Sequence, residues 1–93
     1  MVTAFVLIQS ERDKIPETAE ALVEVPEVKE VYSVAGDYDL VAIIRVKQHD
    51  QPADVVTKKL LKMSGIKHTN TLIAFKSYSR QDLERMWEIG LEG

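Results

Sequence analysis

Val28-Lys29-Glu30-Val31-Tyr32-Ser33-Val34-Ala35-Gly36-Asp37-Tyr38-Asp39-Leu40-Val41-Ala42-Ile43-Ile44-Arg45-Val46-Lys47 decides the fold. Two β-like runs, residues 28–35 and 40–47, flank a connection too compact for a long loop and too charged to be only a tight turn. Glycine in that connection lets backbone approach backbone or a ligand without a Cβ in the way. Asp and Gly also suit hairpin geometry with no further role. Equally, two carboxylates flanking an aromatic at a hairpin mouth can take an ammonium group and cover an apolar moiety. The local sequence leaves both readings open.

Outward from the hairpin, each side repeats one unit. Residues 2–8 are β-branched and aromatic and predict a first strand. A charged connection, residues 10–14, leads to Ile15-Pro16, where proline near the first helical position and Glu17 in the first turn open a helix. Ile15, Ala19, Leu22 and Val23 form its expected buried stripe, and Pro26 forces it to stop near Val25. On the other side Asp50 is the expected N-cap of a second helix running to about Ser64. Its apolar face is Ala53, Val56, Leu60 and Met63, with Gly65 as the residue that stops it. Residues 66–76 alternate and predict a fourth strand. Ser79 and Asp82, in capping-box spacing, start a last helix carrying Leu83, Met86 and Trp87.

The order is β-α-β, hairpin, β-α-β: a ferredoxin-like α+β sandwich over residues 1–78, followed by a helical tail over 79–93. Crossover handedness places the first and third strands in the centre and the second and fourth at the edges. Both central strands are apolar on two faces. Leu40, Ala42, Ile44 and Val46 oppose Val41 and Ile43, and Val2, Ala4, Val6 and Ile8 oppose Phe5 and Leu7. Helices cover one sheet face only, so the other predicts an interface. Sheet-to-sheet dimerisation is the expected solution. The tail helix folding over the open face of a monomer is the competing one.

Ninety-three residues make one small domain, which buries about 60–65% of its unfolded surface and gains from association. There are no cysteines to staple it. The formal charge of −3 argues against nucleic acid as a direct partner. The first apolar run is too short for a membrane span or signal segment, giving an expected cytoplasmic protein with no membrane partner. His49 and His68 are isolated, no metal spacing is present, and nothing pairs a nucleophile with a base. The expectation is therefore no enzyme, no cofactor and no metal. The threonines of Thr69-Asn70-Thr71 point to one side of an edge strand, where hydroxyls serve β-propensity or bind a small carboxylate.

The βαββαβ order, the Val34-Ala35-Gly36-Asp37-Tyr38-Asp39-Leu40 run and the Thr69-Asn70-Thr71 element after Ser64-Gly65-Ile66 resemble the effector-binding domain of the Lrp/AsnC feast/famine regulators. This is the regulation of amino-acid metabolism (RAM) domain, and the resemblance extends from Met1 to about Tyr78. It implies dimers formed through their sheets and assembled into rings, often octamers of four dimers. It implies a small effector, commonly an amino acid, between neighbouring dimers. Gly36, Asp37, Tyr38 and Asp39 would line that site from one subunit, and Thr69, Asn70 and Thr71 from the fourth-strand side. Family members usually carry a preceding helix-turn-helix domain, whereas here a strand begins at Val2. The expectation is a stand-alone module of transcription regulation that does not itself bind DNA. Two other readings accompany it. One is an assembly modulator that co-oligomerises with full-length relatives. The other is a dimeric α+β-barrel enzyme, for which the central strands offer only Arg45 and Lys47 as polar groups.

Overall fold

A computed structural model describes residues 1–81. Strand β1 (Val2–Ser10) leads through a 3-10 turn (Arg12–Lys14) into helix α1 (Ile15–Val23). Strands β2 (Val28–Ser33) and β3 (Leu40–Val46) follow, then helix α2 (Gln51–Lys58), a second 3-10 turn (Leu60–Lys62) and strand β4 (Ile66–Ala74). The sheet runs β2-β3-β1-β4 and every neighbour is antiparallel. This is the expected ferredoxin-like sandwich, with the two most apolar strands in the centre. The expected tail helix lies outside the described residues apart from its start.

Alternation in the central strands sorts the two faces as the sequence requires. Val2, Ala4, Val6 and Ile8 of β1 and Leu40, Ala42, Ile44 and Val46 of β3 are buried. They form one core with Leu22 of α1, Val25 just after it, and Val55, Val56 and Leu60 from the second helical segment. Helices of nine and eight residues are too short to persist alone, so this packing is what holds them. On the open face Phe5, Leu7, Val41 and Ile43 remain partly exposed, and Leu72 of β4 lies directly opposite Phe5 with 49% exposure.

Several helical details differ from expectation. Val23 is 60% exposed, and Thr18 takes the buried position, in phase with Leu22 and Val25. Gly65 packs against that position, so closely that a Cβ there would overlap Thr18 Oγ1 and lie 3.3 Å from Thr18 Cβ. Gly65 is therefore needed for close approach and not as a left-handed helix stop: only Gly36 has positive φ among the described glycines. Helix α2 ends at Lys58, six residues short of the expected end, and the tighter turn after it places Leu60 fully in the core. Ala53 is exposed, and Val55 joins Val56 in its stead. Asp50 makes no side-chain cap. The Gln51 side chain instead accepts the Lys47 and Gln48 N–H groups at 2.9 and 2.8 Å.

Candidate functional site

The end of β1 is where the two halves of the chain meet a polar hairpin. Val34 N–H donates to the Asp39 carbonyl at 3.0 Å, closing the loop between β2 and β3. Gly36 turns within it at φ +124°, a backbone conformation that costs glycine nothing and other residues strain. A Cβ at Gly36 would meet nothing within 4 Å, so backbone conformation and not space makes the demand.

Three bonds then fold this hairpin over β1. Asp39 N–H donates to the Ile8 carbonyl at 2.9 Å, and Gln9 Nε2 donates to the Asp37 carbonyl at 3.1 Å. The Asp39 carboxylate accepts the Ser10 N–H at 2.9 Å through Oδ2. On its other side β1 loses regular register with β4 between Gln9 and Ser10, and Glu11 N–H is taken by the Gly65 carbonyl at 2.9 Å. The chain leaves the sheet here and enters the turn Arg12–Lys14.

These departures open a cleft of about 600 Å³. Gln9, Ser10, Glu11, Arg12 and Asp13 line it from the end of β1 and the turn that follows. Gly36, Asp37 and Asp39 line it from the hairpin, and Lys67 from the start of β4. Among the described residues neither Arg12 nor Lys67 is ion-paired, so both are available to an anionic group. The Asp37 carboxylate is likewise unpaired, whereas Asp39 has one oxygen committed to the Ser10 amide.

The structure divides the residues singled out from sequence among three places. Gly36, Asp37 and Asp39 share the cleft. Tyr38 reaches across β1 towards the open face, where Asn70 Nδ2 donates to its hydroxyl at 3.4 Å, and Asn70 lies opposite Leu7. Thr69 and Thr71 lie opposite Ile8 and Val6, on the helix-bearing face, and are half-buried. The threonines therefore do not join the hairpin carboxylates within one chain. Gln9, Ser10, Glu11, Arg12, Asp13 and Lys67 also line the cleft and were not among the residues expected to contact a ligand. The basic side chain ahead of the Thr69-Asn70-Thr71 run was the available signal.

Elsewhere the polar groups are less suited to a site. His49 and His68 are both exposed, and no three His, Asp or Glu side chains converge as metal ligands among the described residues. Glu30, Tyr32 and Arg45 form a cluster on the open face, with the Tyr32 hydroxyl donating to Glu30 and Arg45 3.8 Å from it. The hydrogen bond to the Glu30 carboxylate raises the Tyr32 pKa, which makes this tyrosine a poorer base precursor at neutral pH. No described helix is long and apolar enough to cross a membrane.

The Lrp/AsnC ligand-binding domain profile matches residues 3–83. FL11 of Pyrococcus furiosus, an HTH-type transcriptional regulator, is 36% identical over 75 residues, covering 81% of this chain and 49% of the regulator. The chain spans about half the length of the curated regulators it matches. The crystal structure of TTHA0845 from Thermus thermophilus superposes with a TM-score of 0.81 at 48% identity, covering 86% of this chain and 100% of that one. The feast or famine regulatory protein Rv3291c of M. tuberculosis, solved in complex with L-methionine, superposes with a TM-score of 0.69 at 26% identity, covering 87% of this chain and 55% of that one.

Proposed function

Because the chain belongs to the Lrp/AsnC ligand-binding domain family, we propose that it is a non-enzymatic module that binds a small amino-acid-type effector in the cleft between the hairpin and the end of β1. The observation that carries this reading is the convergence of unpaired cations and carboxylates on one cleft beside Gly36. Arg12 and Lys67 can hold an α-carboxylate, and the Gly36 region offers backbone close to it. Asp37, with the free oxygen of Asp39, supplies acceptors for an α-ammonium. Binding of L-methionine by a neighbour of the same fold supports an amino acid as the ligand class.

Association of copies follows from the same sheet. Phe5, Leu7, Val41, Ile43 and Leu72 make a continuous apolar stripe across β3, β1 and β4, which a second sheet would cover. The hairpin sits at the end of that stripe, so a ligand that fixes Asp37 against Arg12 also fixes the rim of the dimer seam. Effector occupancy would thus be read out as a change in assembly, which is how such a module serves transcription.

A thermal-shift scan of the protein against the common amino acids at millimolar concentration tests the effector. A ligand at a hundredfold its Kd adds roughly 2.7 kcal/mol to the native state. In a domain of this size that raises Tm by about 4–8 °C per kcal/mol at first order. A rise confined to one or two amino acids supports the reading, and a flat profile across all of them contradicts it.

A further inference from the structure

Two large apolar side chains on the helix-bearing side take no part in the core. Val23 of α1 is 60% exposed, and Leu61, in the turn after α2, is 52% exposed. The charges around them are sorted by helix. Residues 15–27 hold four glutamates and no lysine or arginine, whereas residues 55–81 hold six lysines and arginines and no aspartate or glutamate. Glu17, Glu20 and Glu24 recur at helical spacing and stand exposed along α1, ending beside Val23. Lys58 and Lys62 bracket Leu61, with Asp54 one turn earlier the only carboxylate of α2. Within the chain these charges stay apart. Lys59 reaches Glu27, but Glu17, Glu20, Glu24, Lys58 and Lys62 have no ion pair among the described residues.

Both helices lie on one face of the sheet, so a second copy turned about a two-fold axis sets its α2 over this α1 and its α1 over this α2. We infer that this face is a second self-association surface, on which α1 of one copy docks against the end of α2 of another. Glu20 and Glu24 meet Lys58 and Lys62, and Val23 and Leu61 are covered between them. Stacking α1 on α1 would oppose glutamates instead. The surface lies on the side of the sheet away from Phe5 and Ile43, and it extends the sheet-to-sheet reading. One contact of this kind is solvated and weak, so a chain without its sheet partner stays single. Pairs held by their sheets present two such faces, and closing them into one assembly adds the contacts together.

Sedimentation of the full chain at low ionic strength, beside the variants E20K/E24K and K58E/K62E, tests this. All four positions are exposed, and both variants should keep the parent's Tm within about 4 °C. The parent should sediment as more than a pair, and as pairs in roughly 1 M salt. Each variant alone should have about half the parent's mass or less. An equal mixture of the two should regain the parent's mass, since each supplies the charge the other has lost. Variants at the parent's mass, or a mixture that stays small, overturn the inference and leave the sheet-to-sheet reading standing. Loss of assembly in K58E/K62E but not in E20K/E24K places the acidic surface outside α1 and overturns it too. Variants that fall to single chains keep the helix contact and overturn the sheet-to-sheet reading.

Discussion

The Asp39 carboxylate accepts the Ser10 backbone N–H at 2.9 Å, taking the place of a strand carbonyl where β1 outruns its pairing with β3. Ser10 is 4% exposed, so water cannot substitute freely for that acceptor. One of the two hairpin aspartates is thus a structural residue as well as a cleft residue. Asp39→Ala should lower stability by about 1–3 kcal/mol, the cost of an orphaned buried amide. Asp39→Asn keeps an oxygen acceptor and should lose less than about 1 kcal/mol. Urea unfolding of the two variants measures the difference, and equal losses would show that the hydrogen bond is unimportant.

Gly65 and Thr18 set the distance between the start of β4 and α1. Gly65→Ala should cost about 1–3 kcal/mol, since an added Cβ overlaps the Thr18 hydroxyl and the core must shift. In a Thr18→Ala background the hydroxyl is gone and most of that penalty should vanish. A double-mutant cycle with purely additive losses would refute the contact.

Adjacent isoleucines on β3 separate the core from the open face. Ile44 is fully buried under the helices, and a charge there should unfold the domain, costing more than about 4 kcal/mol. Ile43 lies on the open face between Phe5 and Glu30. Ile43→Asp should leave a folded chain that elutes as a monomer with light-scattering detection. An oligomer of the parent's size from this variant would rule the stripe out as the subunit seam.

Glu27 gives a pH signature. Its carboxylate accepts hydrogen bonds from Lys59 Nζ, 2.7 Å from each oxygen, and this holds its pKa below the ordinary 4.5. A depressed folded pKa gives stability that is present above the unfolded pKa and lost as pH falls through the folded one. The pair is solvated, so Lys59→Met should cost only roughly 0.2–1 kcal/mol near neutral pH. Well below pH 4.5 variant and parent should converge. A gap that persists in acid would assign the loss to packing of the lysine stem.

Much of this architecture is legible in the chain because strand alternation sorts residues by face. Period two puts Val6 with Ile8 and Leu40 with Ile44, but both faces of these strands are apolar, so only the fold shows that the helices cover this set. The helices were harder. Hydrophobicity favours Val23 over Thr18 for the buried stripe, but it is Thr18 that is buried, against the closely passing Gly65. The cleft was half legible. Gly36, Asp37 and Asp39 are nearly contiguous and stood out, but Arg12 and Lys67 join them only through the irregular register at Gln9 and Ser10. The separation of Asn70 from Thr69 and Thr71 follows from strand geometry, which sends neighbours to opposite faces.

The most direct test of effector binding at this cleft is an NMR titration of the isotopically labelled full chain with L-methionine, and with any amino acid that raises Tm, followed through backbone amides. Occupation of the cleft should shift the amides of Gln9, Glu11, Gly36, Asp37 and Lys67 together, along one saturating curve, while those of Val55 and Leu60 stay fixed. Saturable shifts confined to residues away from the hairpin and the end of β1 would contradict the assignment.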